Sequence, residues 1–141
     1  MDIYEATQAV LADATAPDAN VTYIQLAYDE QTDSYIIPDY PAVTWLYSNL
    51  VPVVTHTGGS GLYRVLLDVE IWGSLDDVAL YEKMITDVLN AKRVKVENVI
   101  FTVIIMESRD IVDLGIDCKH RFIRFNGMVE VREEEQKNDS R

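Results

Sequence analysis

Hydrophobic and polar residues alternate along the segment Gly61–Gly73. The odd positions are all apolar or aromatic: Tyr63, Val65, Leu67, Val69 and Ile71. The even positions include three charged residues: Arg64, Asp68 and Glu70. Because successive side chains of a strand point to opposite faces, a period of two is typical of a strand with one buried face. The segment is therefore predicted to be a half-buried strand.

A helical pattern follows this strand directly, over Ser74–Leu89. Its apolar stripe consists of Leu75, Val78, Ile85 and Leu89, with Tyr81 and Val88 beside it. Ser74 is a suitable N-cap with Asp77 three residues later, and the carboxylates of Asp76 and Asp77 favour the positive end of the helix dipole. We expect an amphipathic helix that packs on the sheet.

The N-terminal part of the chain predicts one more helix and two strands. Ile3, Ala6, Val10 and Leu11 recur at helical spacing, with Asp2 as a possible N-cap. The β-branched and aromatic residues of Val21–Tyr28 and Ala42–Asn49 predict strands, the second with apolar groups on both faces. Pro38 and Pro41 bracket a turn or extended segment before the second strand.

Three predictions concern the remaining segments. Val51–Gly61 has three glycines within four residues and is predicted to be a flexible loop. Val99–Met106 is uninterrupted apolar sequence and predicts the central strand, followed by a loop over Glu107–Asp117. A last strand over Cys118–Arg132 is interrupted by Asn126-Gly127, as a hairpin turn or as a bulge, and we expect residues 132–141 to be a charged, flexible tail after a domain over residues 1–131.

Composition narrows the class of protein. The chain has 141 residues, which fits one domain. Its 24 acidic and 12 basic residues give a net charge of -12, while 48% of the residues are apolar, a combination that opposes disorder. An acidic surface repels duplex DNA. The single Cys118 excludes an intramolecular disulfide, and the N-terminus lacks a signal-peptide pattern, so an intracellular site of synthesis is expected.

The sequence contains no recognisable catalytic or cofactor motif, and we expect neither an enzyme nor a bound cofactor. Asp110, Asp113 and Asp117 suggest a cation site, but their spacing matches no calcium loop, and a solvated acidic loop is the favoured interpretation. His56 and His120 have no nucleophile motif beside them. Thr57, Gly58, Gly59 and Ser60 lead into a strand rather than a helix, unlike a phosphate-binding loop, and are predicted to order against a partner.

A modest basic group stands out on this acidic chain. It consists of Arg64, Arg121 and Arg124, with Lys119. These cations could face acidic groups of a second copy, and the candidates are Glu70, Asp76 and Asp77. Complementary charges of this kind fix the register at a subunit interface. The alternative is a set of unconnected surface arginines.

The order of these elements resembles the tail-completion, or tail-terminator, proteins of long-tailed bacteriophages. The resemblance covers about residues 3–131, and it is strongest over Tyr40–Leu89, where Tyr40-Pro41 precedes an apolar strand, a glycine-rich loop, the alternating strand and the helix. Arg64 early in the central strand and Trp72 at its end match residues common in that family. The segment Tyr23–Asp39 is longer and richer in tyrosine than the family's pattern.

The resemblance implies an α+β fold in which a twisted, mostly antiparallel sheet is flanked by two helices. It also implies a structural virion protein that is made in the host cytoplasm and forms a ring, six-membered in this family, at the head-proximal end of the tail tube. Its partners would be further copies of itself, the tail tube protein and the head-completion or connector protein, with DNA passing through the lumen. The candidate interface residues are Thr57, Gly58, Gly59, Ser60, Arg64, Glu70, Arg121 and Arg124, and the strand ending at Val131 is a candidate edge for pairing between protomers.

Two alternatives stay open. One is another neck or tail protein of the virion. The other is a monomeric or dimeric ligand-binding or regulatory module, with a pocket under Gly58–Gly61 lined by Trp45, Tyr63 and Trp72.

Overall fold

A computed structural model describes residues 1–16, 20–23, 28–29, 31, 34–35, 41–55, 58–112 and 119–133. Its helices are α1 (Ile3–Ala14) and α2 (Leu75–Leu89). Its strands are β1 (Asn20–Tyr23), β2 (Tyr28–Asp29), β3 (Ser34–Tyr35), β4 (Ala42–Thr55), β5 (Gly58–Gly73), β6 (Lys92–Val96), β7 (Val99–Ile111) and β8 (Lys119–Val131). The predicted strand Val21–Tyr28, the predicted loop Val51–Gly61, the Pro38 turn and the acidic loop lie partly outside the described residues.

The described strands form a six-stranded sheet in the order β1-β4-β5-β8-β7-β6, and β2 pairs separately with β3. β1 runs parallel to β4, whereas the other pairs in the sheet are antiparallel. Both helices pack on the same face of the sheet, here called the helix face, and the opposite face is called the open face. The α+β fold with a mostly antiparallel sheet is therefore confirmed.

Side-chain caps start both helices where the sequence predicts. Asp2 Oδ1 accepts a hydrogen bond from the Glu5 amide at 2.8 Å, and Glu5 Oε1 accepts one from the Asp2 amide at 3.1 Å, which completes a capping box. Ser74 Oγ accepts from the Asp77 amide at 3.1 Å. The predicted stripe of α2 is buried except for Leu75, which is 61% exposed because it lies at the margin of that stripe in the first turn.

The core lies between the helices and the odd-numbered residues of β5. Val65, Leu67, Val69 and Ile71 are buried as predicted, with the aromatic rings of Trp45 and Phe125 on the neighbouring strands. α1 is tied to β4 by two polar contacts. Trp45 Nε1 donates to Gln8 Oε1 at 2.8 Å, and the hydroxyls of Thr7 and Tyr47 lie 2.6 Å apart. Burial raises the pKa of the Tyr47 phenol well above its usual range, so the ring stays neutral.

The prediction of a flexible loop over Val51–Gly61 is wrong for its described residues. β4 continues to Thr55, and β5 begins at Gly58, where the two strands pair with each other. Pairing of the backbones outweighs the flexibility of the glycines. Gly61 has a positive φ of 75°, and a Cβ atom there would lie 2.3 Å from the Val131 carbonyl oxygen, so this glycine is needed for a close approach rather than for mobility.

Three predictions about the last strands are also corrected. β7 is second from the edge, because β5 and β8 occupy the centre, so the strand ending at Val131 is not an edge. β7 continues past Met106 to Ile111, with a bulge between Ile105 and Glu107, so residues 107–111 of the predicted loop belong to this strand. Asn126 and Gly127 make neither a hairpin nor a bulge. A Cβ atom on Gly127 would lie 2.2 Å from the Thr102 carbonyl oxygen, so the glycine permits close strand packing.

The hairpin of β6 and β7 is an element that the sequence pattern did not predict. The turn uses Glu97 at φ 51° and Asn98, whose side-chain amide donates to the Met1 and Arg132 carbonyls at 3.0 and 2.9 Å. Lys92, just past the end of α2, donates to the Asp87 carbonyl of that helix. Arg93, by contrast, lies on the open face of the sheet.

Candidate functional site

The open face divides into two halves that treat charge differently. One half, here called the paired half, lies beside the end of β5 at Trp72 and the start of β8. The other, here called the exposed half, lies beside the start of β5 and the end of β8. Strand parity places the even-numbered residues of β5 and β8 on this face in both halves.

In the paired half, Asp68 and Arg124 face each other across β5 and β8. Arg124 Nε donates to Asp68 Oδ1 at 2.7 Å, and its Nη2 donates to Oδ2 at 3.0 Å, a two-pronged contact. Asp68 is only 7% exposed. The hydrogen bond to Asp68 raises the pKa of Arg124, so the guanidinium stays charged. The ring of Phe122 lies between two guanidinium groups, 5.0 Å from that of Arg109 and 5.2 Å from that of Arg124.

His120 anchors the far end of the paired half. Its ring stacks on Trp72 with centroids 3.5 Å apart, and its Nε2 lies 2.9 Å from Glu70 Oε1. Trp72 Nε1 donates to the Thr44 hydroxyl at 3.4 Å. His120 is 5% exposed, so this is a buried polar cluster with satisfied partners. The simplest interpretation of its geometry is structural.

The exposed half carries cations without such partners. Strand register aligns one row of side chains across the open face: Val51, Arg64, Met128, Thr102 and Arg93. Lys95 lies in the next row, opposite Ile100. Arg64, Arg93 and Lys95 are exposed and make no ion pair with any residue that the structure describes. They are called the cationic patch below.

Apolar side chains are exposed beside the cationic patch. Val51 ends the row, and Ile104, which is 53% exposed, lies on the adjacent row opposite Asn126. The carboxylate of Glu130 lies in the same row as Lys95 and Ile100, and it already receives a hydrogen bond from Arg132 Nε at 2.9 Å. Exposed cations and exposed apolar groups thus meet on one surface of an acidic chain, the composition expected of a surface that binds another macromolecule.

The structure separates the predicted interface residues. Arg64 is exposed as expected, but Glu70 is bound by His120 and Arg124 by Asp68. Arg121 lies on the helix face, where it pairs with Glu82 of α2 at 2.9 Å and with Asp110 of β7 at 2.8 Å. Hydrogen bonding to Asp110 raises its pKa. Three of the four predicted charged residues therefore have partners within the chain, which leaves Arg64 as the one with the expected character.

The other predicted site residues lie in separate parts of the structure or outside the described residues. Gly58, Gly59 and Ser60 belong to β5, while Thr57 and His56 lie outside the described residues. Lys119, at the start of β8, lies away from Arg64 at the other end of the sheet. Asp110 is held by Arg121, and Asp113 and Asp117 are not described. Across the described part of the chain, no three potential metal ligands cluster, and no helix is long and apolar enough to cross a membrane.

The alternative pocket lined by Trp45, Tyr63 and Trp72 is contradicted by strand parity. Trp45 and Tyr63 point to the helix face, while Trp72 points to the open face and bonds Thr44. Three side chains on opposite faces of one sheet cannot line one pocket.

Arg93, Lys95 and Ile104 are the site residues that sequence reasoning missed. The signal was present, because Arg93-Val94-Lys95-Val96 alternates with a period of two. These cations also follow directly after a predicted helix, where positive charge suits the negative end of the helix dipole, and that alternative explanation conceals the strand.

Comparison with known proteins adds no family. No model of a known protein family matches the sequence, and a search of the curated proteins finds no match either.

Proposed function

We propose that this chain is a structural protein of a bacteriophage virion that assembles into a ring, with six copies as the expected number, at the head-proximal end of the tail tube. Such a ring would end tube polymerisation and join the tail to the head connector, with DNA passing through its lumen. The observation that supports the proposal most directly is the exposed half of the open face, where cations without an ion pair among the described residues lie together with exposed apolar side chains.

Two further features support assembly through surfaces. The fold is the α+β arrangement implied by the resemblance to tail terminators. The sheet edges, in contrast, carry features that discourage pairing with a strand of another copy. On one side, β1 is only four residues long, and the part of β4 that extends beyond it contains Pro52. On the other side, the edge strand β6 carries Lys92, Arg93 and Lys95. Contacts between side-chain surfaces are therefore a better basis for the ring than strand addition.

The experiment is to measure the absolute mass of the purified protein by light scattering over a concentration series, with negative-stain images of any large species. A closed ring near six times the chain mass of 16.0 kDa is the expected result. A compact dimer, or a monomer at every concentration, would count against the proposal. If the ring forms, adding tail tubes tests whether it caps one end and stops their growth.

A further inference from the structure

We infer that the cationic patch of one copy binds the outward face of α2 of a second copy, so that copies join head to tail. This inference rests on the proposed function, because it names the contact from which the ring would be built. It starts from the distribution of charge. Helices α1 and α2 with the cap Asp2 carry seven carboxylates and a single lysine, Lys83, whereas the cationic patch carries three cations without described partners.

The outward face of α2 has a matching composition. Leu75 and Leu80 are 61% and 47% exposed, and the exposed carboxylate of Asp76 lies beside them. Further along the helix, Lys83 and Asp87 satisfy each other at 2.6 Å. The first two turns of α2 therefore present apolar groups together with Asp76 and Asp77, whose carboxylates no described cation neutralises, opposite in sign to the cationic patch.

The dimensions of the row also suit a helix. Arg64 on β5 and Arg93 on β6 are separated by β8 and β7, where the uncharged Met128 and Thr102 occupy the row. At the usual strand spacing, the two arginines start about 14 Å apart. An α-helix with its side chains is about 10 Å wide. A helix can therefore lie over Met128 and Thr102 with an arginine on each side.

The two surfaces lie on opposite sides of the molecule. α2 packs its inner face on the helix face of its own sheet, and the cationic patch belongs to the other face. A contact between unlike surfaces leaves one of each surface free after every addition, so it builds a ring when the rotation closes and a filament when it does not. A symmetric dimer differs, because its two copies contact each other through the same surface.

The test changes one charge on each surface. Arg93→Glu alters the patch, and its melting temperature should change little because the side chain is exposed. Asp76→Lys alters the helix, and its melting temperature should fall by a few degrees because a cation replaces a carboxylate in the first turn of α2. Each variant alone should raise the concentration needed for half-assembly about tenfold, because like charges then face each other. The double variant Arg93→Glu, Asp76→Lys should assemble within about threefold of the original protein, since the charges are exchanged. Lys119→Glu, an equal change of an exposed cation away from the patch, is the matched control and should assemble normally.

Mixing the two single variants sharpens the result. Arg93→Glu retains an intact helix surface and Asp76→Lys an intact patch, while their two altered surfaces carry exchanged charges, so a mixture should recover closed rings near six times 16.0 kDa in which the two variants alternate. Rings that all variants form equally well would overturn the inferred contact and leave the proposed ring standing. If the original protein forms filaments and the single variants do not, the result would support the contact and overturn the ring. Lack of self-association by the original protein would overturn the contact, as would assembly that depends on added nucleic acid.

Discussion

The two halves of the open face contain similar residue types in opposite circumstances. In the paired half, Asp68 meets Arg124 and Glu70 meets His120, and the aromatic rings of Trp72 and Phe122 cover them. In the exposed half, Arg64 and Arg93 share a row with Met128 and Thr102, and no described carboxylate reaches them. A charge that is satisfied within the chain serves the fold, whereas an unsatisfied one on an otherwise acidic surface remains available to a partner. The difference separates structural charges from candidate interface charges more clearly than sequence position does.

The largest expected effect on folding is in the paired half. Asp68→Ala leaves Arg124 without its carboxylate in a mostly buried setting and should lower the free energy of unfolding by about 2–3 kcal/mol. Urea denaturation followed by circular dichroism measures it. As a control, the double variant Asp68→Leu, Arg124→Met removes both charges and should recover most of the loss. A single variant as stable as the original protein would show that the pair contributes little.

A smaller loss is expected at the other end of the same half. His120→Ala removes the stack on Trp72 and the partner of Glu70, and should cost about 1–2 kcal/mol. His120→Phe retains a ring on Trp72 but not the hydrogen bond, so its stability should fall between that of the original protein and that of His120→Ala. If both variants lose the same amount in urea denaturation, stacking makes no contribution.

In the exposed half, the expected pattern is reversed. Arg64→Glu should change the free energy of unfolding by no more than about 0.5 kcal/mol, because the side chain is exposed and has no described ion pair. It should nevertheless weaken self-assembly in light scattering, because it introduces repulsion beside a carboxylate-bearing surface. Equal losses in stability and assembly, or loss of neither, would contradict an interface role for Arg64.

Salt should reveal the same contrast without a mutation. The screening length falls from about 10 Å at 0.1 M ionic strength to about 3 Å at 1 M, so assembly through exposed charges should weaken over this range. The melting temperature should change much less, because Asp68 and Arg124 are in direct contact and largely shielded from solvent. Assembly that is insensitive to salt would indicate a mainly apolar interface.

Much of the fold could be predicted from local patterns. The alternation in β5, the caps Asp2 and Ser74 and the apolar stripe of α2 each reflect interactions within a few residues, and each is found as expected. Strand order was beyond these patterns: Val99–Met106 is the most apolar segment, yet the centre belongs to β5 and β8. Apolar content reports burial, whereas position in a sheet depends on which distant strands pair.

The candidate site was predicted less well, for a related reason. Glu70, Arg121 and Arg124 look like free surface charges in the sequence, because their partners His120, Glu82 and Asp68 are 39 to 56 residues away. Of the four charged residues predicted at the interface, only Arg64 lacks such a distant partner among the described residues. Whether a charge is free is a property of the folded chain, and no local pattern contains it.

The bulge at Met106 makes β7 a strand in two phases. Before it, Phe101 and Val103 point to the core; after it, Glu107 and Arg109 point to the open face, while Ser108 and Asp110 reach Glu82 and Arg121 on the helix face. A regular strand that kept Met106 would exchange the two sets, although every charged group would still be present, whereas deletion of Met106 would remove the bulge and leave both sets on their faces. The bulge absorbs one extra residue, and this irregularity of the backbone, rather than the identity of any side chain, determines which face each charged group of the strand occupies.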